Sequence, residues 1–227
     1  MQTRSGAFWA GVRAEMPLLV GVFPFGMIYG TLALSAGLSP AAAQSMSWIV
    51  FAGSSQFIAA QLLHESVPAA VIVLTIGIVN LRHMLYSASV APYVERLSPR
   101  WKALLAYLLT DEAYAVVITN YQKEGLQPFS HLFFLGAGLT LWSCWQISTA
   151  AGILLGTVIP ESWPLDFALP ITFIALLMPV LKDRAAVAAA VTGGAVAVMA
   201  NGLPYRLGLI AAALVGIAAG ILVENRK

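Results

Sequence analysis

Residues Val67 to Val94 form one long apolar run, and Asn80-Leu81-Arg82-His83 sits inside it as its only charged interruption. As a single straight helix at 1.5 Å per residue the run would be roughly 42 Å long. The hydrocarbon core of a bilayer is only about 30 Å thick. The run is therefore too long for one comfortable span and too short for two. A break at Asn80–His83, giving two half-helices or an unwound, tilted span, resolves the mismatch. Pro92 and the polar stretch Glu95 to Arg100 then close the unit.

Working outward, the next apolar run, about Trp101 to Tyr121, carries Thr110-Asp111-Glu112 at its centre. The run before carries Gly53-Ser54-Ser55-Gln56, four small or polar residues tolerable only against another helix or a wet cavity. One cationic and one anionic group at similar depth point to a polar cavity in a helical bundle, since intramembrane ionisable residues are functional candidates by default. Arg82 has two readings: a planar donor fork for a substrate carboxylate, or an ion pair with Asp111 or Glu112 that locks two helices. His83 is either a proton relay or a neutral ring bonded to a nearby carbonyl. Asn80 bonds open backbone at the break or helps to hold a ligand. Asp111 and Glu112 point about 100° apart on a helix, and as crowded carboxylates they resist ionising together. Proton coupling is thus expected from Asp111, Glu112, His83 and, nearer a span end, Asp166. Substrate binding is expected from Arg82, Asn80, Ser54, Ser55 and Gln56.

Composition sets the class. The chain has 227 residues, 59% of them hydrophobic and only 10% charged, with a mean hydropathy of +0.83. That describes an all-α, polytopic membrane bundle in one domain, with about seven or eight spans and interrupted or re-entrant helices. A net charge of +2 gives no footprint for nucleic acid. Cys144 is the only cysteine, so an intramolecular disulfide is excluded. No zinc-protease helix or phosphate-cradling glycine loop is present, and neither an enzyme nor a cofactor is expected.

Residues 1–15 read as a short interfacial helix around Phe8 and Trp9, followed by two spans in the uncharged stretch Met16 to Leu63. Later runs cover Leu132–Pro160, Pro164–Leu181, Ala185–Ala200 and Leu207–Val223. With a cytoplasmic N-terminus, strict alternation of eight spans puts seven Lys and Arg inside and four outside. Treating the third and fifth runs as re-entrant gives nine against two, a better fit to the positive-inside rule. Both arrangements leave the two termini cytoplasmic. Asn80–Pro92 faintly repeats Asp166–Pro179, as in transporters with paired interrupted helices.

Several stretches together resemble a known family. They are Pro24-Phe25-Gly26 with Tyr29-Gly30, Phe51 to Phe57, Asn80 to His83, Leu109-Thr110-Asp111-Glu112, and Leu165-Asp166-Phe167-Ala168. In this order they resemble the AzlC/YgaZ-type large subunit of bacterial branched-chain amino acid exporters. The resemblance implies export of L-valine, leucine, isoleucine and methionine across the cytoplasmic membrane. It also implies a small AzlD/YgaH-type membrane subunit as partner and the proton gradient as energy source. A passive channel for small neutral solutes and a non-transporting scaffold or sensor subunit are the alternatives.

Overall fold

The computed structural model describes residues 3–156, 181, 183–203 and 207–224, and these are helical with short joints. They fall into two compact units, Met1–His64 with Val79–Pro160, and Glu65–Ile78 with Glu161–Lys227. Among the described residues, three helices are long and apolar enough to cross a membrane by length and composition: Arg4–Ser35, the run Ala69–Val94, and Leu207–Glu224. Asp166 and the repeat built on it lie outside the described residues.

In the first unit, α1 runs Arg4–Ser35 without interruption, although Pro17 and Pro24 lie inside it. No boundary separates the expected interfacial segment from the first span. Thr3 caps the start by accepting from the Gly6 amide at 3.0 Å, and no breaker lies between residues 4 and 15 to divide the helix. Gly37, at φ +85°, makes the exit turn that a side chain would resist. Ser39 and Pro40 then start α2, Pro40–Ile49, with Ser39 accepting from the Ala42 amide.

Among the described residues three spans are broken, and of these only the break at Asn80 falls where the sequence places one. Residues 50–52 separate α2 from α3, Gly53–His64. Asn80 alone separates α4, Ala69–Val79, from α5, Leu81–Val94, as expected for the over-long run. Residues 108–110 separate α6, Pro99–Tyr107, from α7, Asp111–Glu124. Asp111 and Glu112 are therefore not mid-helix residues. They occupy the first turn of α7, where the positive end of the helix dipole favours carboxylates.

The fifth run is the opposite case, since α8 is one unbroken helix over Ser130–Gly156. It packs along α1 and also touches α2, α6 and α7. Gly11 meets Phe133 and Ala137, Gly26 meets Ser148, and Gly152 meets Met27, so α1 and α8 run parallel. Arg4 lies 5.5 Å from the Phe129 ring centroid, which places the two helix starts together. Parallel neighbours need an odd number of crossings between them. Three full crossings supply that; a re-entrant third run does not. The seam is glycine-rich because bilayer helices gain most from close backbone approach.

In the second unit, α9, Arg184–Met199, is capped by Asp183, which accepts from the Ala186 amide at 2.7 Å. It forms an antiparallel hairpin with α10, Leu207–Glu224: Gly208 meets Ala200, and Gly193 meets Ala212 and Gly216. Gly193 carries this close packing, while nothing lies within 4 Å of a Cβ at Gly194.

Candidate functional site

The three breaks put three helix N-termini to use, on α3, α5 and α7. Arg82, in the first turn of α5, joins the other two. Its Nη1 lies 3.1 Å from Asp111 Oδ2, and its Nη2 donates to Ser54 Oγ on α3. Ser55 donates to Asn80 Oδ1 at 2.6 Å, tying the start of α3 to the break itself. Tyr86, one turn along from Arg82, donates to the second Asp111 oxygen at 2.8 Å. Each helix start carries roughly half a positive charge. Arg82 is balanced by Asp111, and the helix starts add positive potential against the second carboxyl of the α7 first turn, Glu112.

Four of the expected binding residues and one expected proton carrier therefore meet here: Arg82, Asn80, Ser54, Ser55 and Asp111. Arg82 makes its ion pair with Asp111, one of the two partners that the sequence allows. Gln56 is fully buried one step away and accepts from Trp145 Nε1 on α8 at 2.9 Å. His83 turns toward Tyr86 in an edge-on ring contact at 5.8 Å, and Tyr86 stacks on Tyr114 at 4.3 Å. Glu112 stands apart from the Arg82–Asp111 pair, as its 100° offset on α7 requires.

Hydrogen-bond accounting singles out this junction. Buried polar groups are normally satisfied, and an unpartnered one costs about 1–3 kcal/mol. Among the described residues, the buried side-chain atoms without a partner are Arg82 Nε, His83 Nε2, Thr110 Oγ1, Gln56 Nε2 and both carboxylate oxygens of Glu15. Four of these six surround the three helix starts. A polar solute with both acceptors and donors would satisfy them.

Behind the junction, a polar ladder links α2 to α8. Gln44 donates to Gln146 at 2.9 Å, Gln146 donates to the Ser47 carbonyl at 3.2 Å, and Ser47 bonds Thr149 at 3.1 Å. Phe25, Tyr29, Phe57 and Trp145 form the aromatic packing beside it. Interhelical hydrogen bonds in membranes average only about 0.6 kcal/mol, so the ladder sets helix register more than it adds stability.

Sequence reasoning missed Tyr86, Thr110, Trp145 and Glu15. Nothing in a linear sequence distinguishes Tyr86 from the other tyrosines of a membrane protein. Tyr86→Phe removes one of the two donors holding Asp111. A fall in transport of about ten-fold or more is expected, together with a lower melting temperature, because a hydrogen bond to a charged group contributes about 1.5–3 kcal/mol. Flux and melting measured on the same preparation check this.

Interrupted helices whose starts converge on a charged pair, in an apolar helical bundle, define a polytopic membrane protein with a polar site inside it. The chain belongs to the AzlC family: the family model described as AzlC protein matches residues 17–159. An "Uncharacterized membrane protein" of Archaeoglobus fulgidus is 34% identical over 94% of both chains. "Inner membrane protein YgaZ" of Escherichia coli strain K12 is 28% identical, over 96% of this chain and 89% of its own length. "Branched-chain amino acid transport protein AzlC" of Bacillus subtilis strain 168 is 28% identical, over 75% of this chain and 68% of its own. No solved structure matches.

Proposed function

We propose that this protein exports branched-chain amino acids, L-valine, leucine and isoleucine with methionine, across the bacterial cytoplasmic membrane, as the large subunit of a two-component, proton-coupled permease. The observation that carries the reading is the cluster of unpartnered polar atoms at three helix starts around Arg82. The name of the Bacillus subtilis relative supports the substrate class. A zwitterion suits the chemistry. Its carboxylate takes the junction, with Arg82 Nε and Gln56 Nε2 as donors. Its ammonium finds Asp111 and the Ser54 and Ser55 hydroxyls. The apolar side chain lies against the Tyr86–Tyr114 stack and neighbouring aliphatic walls. Both termini are cytoplasmic, and the partner is a small AzlD/YgaH-type membrane subunit.

Counterflow of labelled L-valine in liposomes, with and without the small subunit, tests this directly. Saturable counterflow is expected, competed by leucine and isoleucine. A passive pore gives flux without counterflow, and a scaffold leaves the vesicles inert in both preparations. Either outcome would falsify the proposal.

A further inference from the structure

Glu15 is a charged-type residue with no charge partner. It sits roughly 16 Å along α1 from the helix start at 1.5 Å per residue, and its relative exposure is 0%. Both carboxylate oxygens lack a hydrogen-bond partner. Leaving an ionised carboxylate unpaired in such a place costs several kcal/mol, whereas a neutral carboxyl costs far less. Another carboxyl, Glu112, stands in the first turn of α7, one of the helices packed against α1.

Among the described residues on the helices that pack here, the cations are Lys123 on α7 and Arg4 and Arg13 on α1 itself, and none of them pairs with Glu15. Against α1 pack α8, α3, α2 and α7. Across its whole length α8 contributes only His131 and Cys144 as titratable side chains, α3 only His64 at its far end, and α2 none. From α7 come Asp111, Glu112, Tyr114, Tyr121, Lys123 and Glu124. Asp111 is already held by Arg82 and Tyr86, and Arg82 acts electrostatically on Glu112. On α1 itself Arg4 and Arg13 are exposed, and Tyr29 is engaged with the Ala43 carbonyl. A groove between α1 and α7, lined by Ala14, Thr119, Asn120 and Lys123, runs past the turn that carries Glu15.

We propose that Glu15 is the proton-carrying carboxylate of the transport cycle and works with Glu112, while Asp111 stays with Arg82; this rests on the proton-coupled transport proposed above. In the conformation described here Glu15 holds its proton. Opening along the α1–α7 groove admits water, and the carboxylate then releases the proton to that side. Glu112 adjoins Asp111 in the first turn of α7, next to the Arg82 pair. Its charge state therefore links Glu15 to substrate binding: protonating one carboxylate eases ionisation of the other. One proton enters as one zwitterion leaves, so no other co-reactant is needed.

The test compares two L-valine fluxes in proteoliposomes of the full chain with its small subunit. These are flux driven by a pH difference of about one unit, worth up to about ten-fold accumulation per coupled proton, and counterflow at equal pH. For the wild type, driven flux should exceed counterflow. For Glu15→Gln the ratio should fall to near one, and Glu15→Asp, which restores an ionisable group, should recover part of it. A wild-type ratio in Glu15→Gln overturns the proposal. Infrared difference spectra of the purified chain give a readout that needs no substrate. A carboxylic acid C=O band should be present at neutral pH and lost in Glu15→Gln; an unchanged band overturns the assignment. If wild type shows no counterflow, the transport reading fails by itself, and the infrared band still decides whether Glu15 carries a proton.

Discussion

Arg82→Ala is expected to reduce L-valine counterflow by about ten-fold. Removing one member of a buried ion pair costs about 3–5 kcal/mol. Here Arg82 is 29% and Asp111 39% exposed, so solvent screening lowers that toward the surface-pair range of about 0–1 kcal/mol, and each 1.36 kcal/mol is about ten-fold in rate. The truncation strips Asp111 of its cation and Ser54 of its donor together. Arg82→Lys should fall between wild type and Arg82→Ala, because a single ammonium is a point charge without a planar fork for both partners. Adding Asp111→Ala to Arg82→Ala separates lock from ligand contact. If Arg82 serves only to pair with Asp111, the double variant regains transport with its melting temperature. If the pair also holds the substrate, Arg82 its carboxylate and Asp111 its ammonium, stability returns and transport does not. We expect the second result, since Arg82 Nε has no protein partner among the described residues.

The second large effect concerns the α1–α8 seam. Gly152→Val is expected to lose folded protein, read as failure to elute as a single species in detergent and a fall in melting temperature. A Cβ at Gly152 would lie 2.0 Å from the Met27 carbonyl oxygen, and one at Gly136 would lie 2.1 Å from that of Phe8. Those neighbours are backbone and cannot rotate away. Overpacking ordinarily costs about 1–3 kcal/mol through side-chain adjustment; here the helices themselves must separate, which removes dispersion along the whole seam. Gly194→Ala, in the second unit, is the control. Nothing lies within 4 Å of a Cβ there, so little change is expected.

The membrane class, the break at Asn80 and most of the junction were legible in the sequence because charge in an apolar run is costly and must be explained. The breaks at residues 50–52 and 108–110 were not. Val50, Phe51, Leu108 and Leu109 include no proline or glycine, so no local breaker marks those positions. Glu15 was legible in principle. Ala7, Gly11, Glu15, Val22, Gly26, Gly30 and Ala33 follow one another at steps of three, four or seven and are all buried. Their shared face is the small-residue stripe of a packed helix, and Glu15 belongs to it. Position near the chain start and the neighbouring Arg13 argued instead for an interface, a weaker signal than the stripe.

The common direction of α1 and α8 bears on how the chain enters the bilayer. With three full crossings between them, Arg4 and Arg13 share a membrane face with Lys123, and Arg96, Arg100 and Lys102 share the other. Three cations stand against three, so the first five spans carry no electrostatic instruction about which way round to insert.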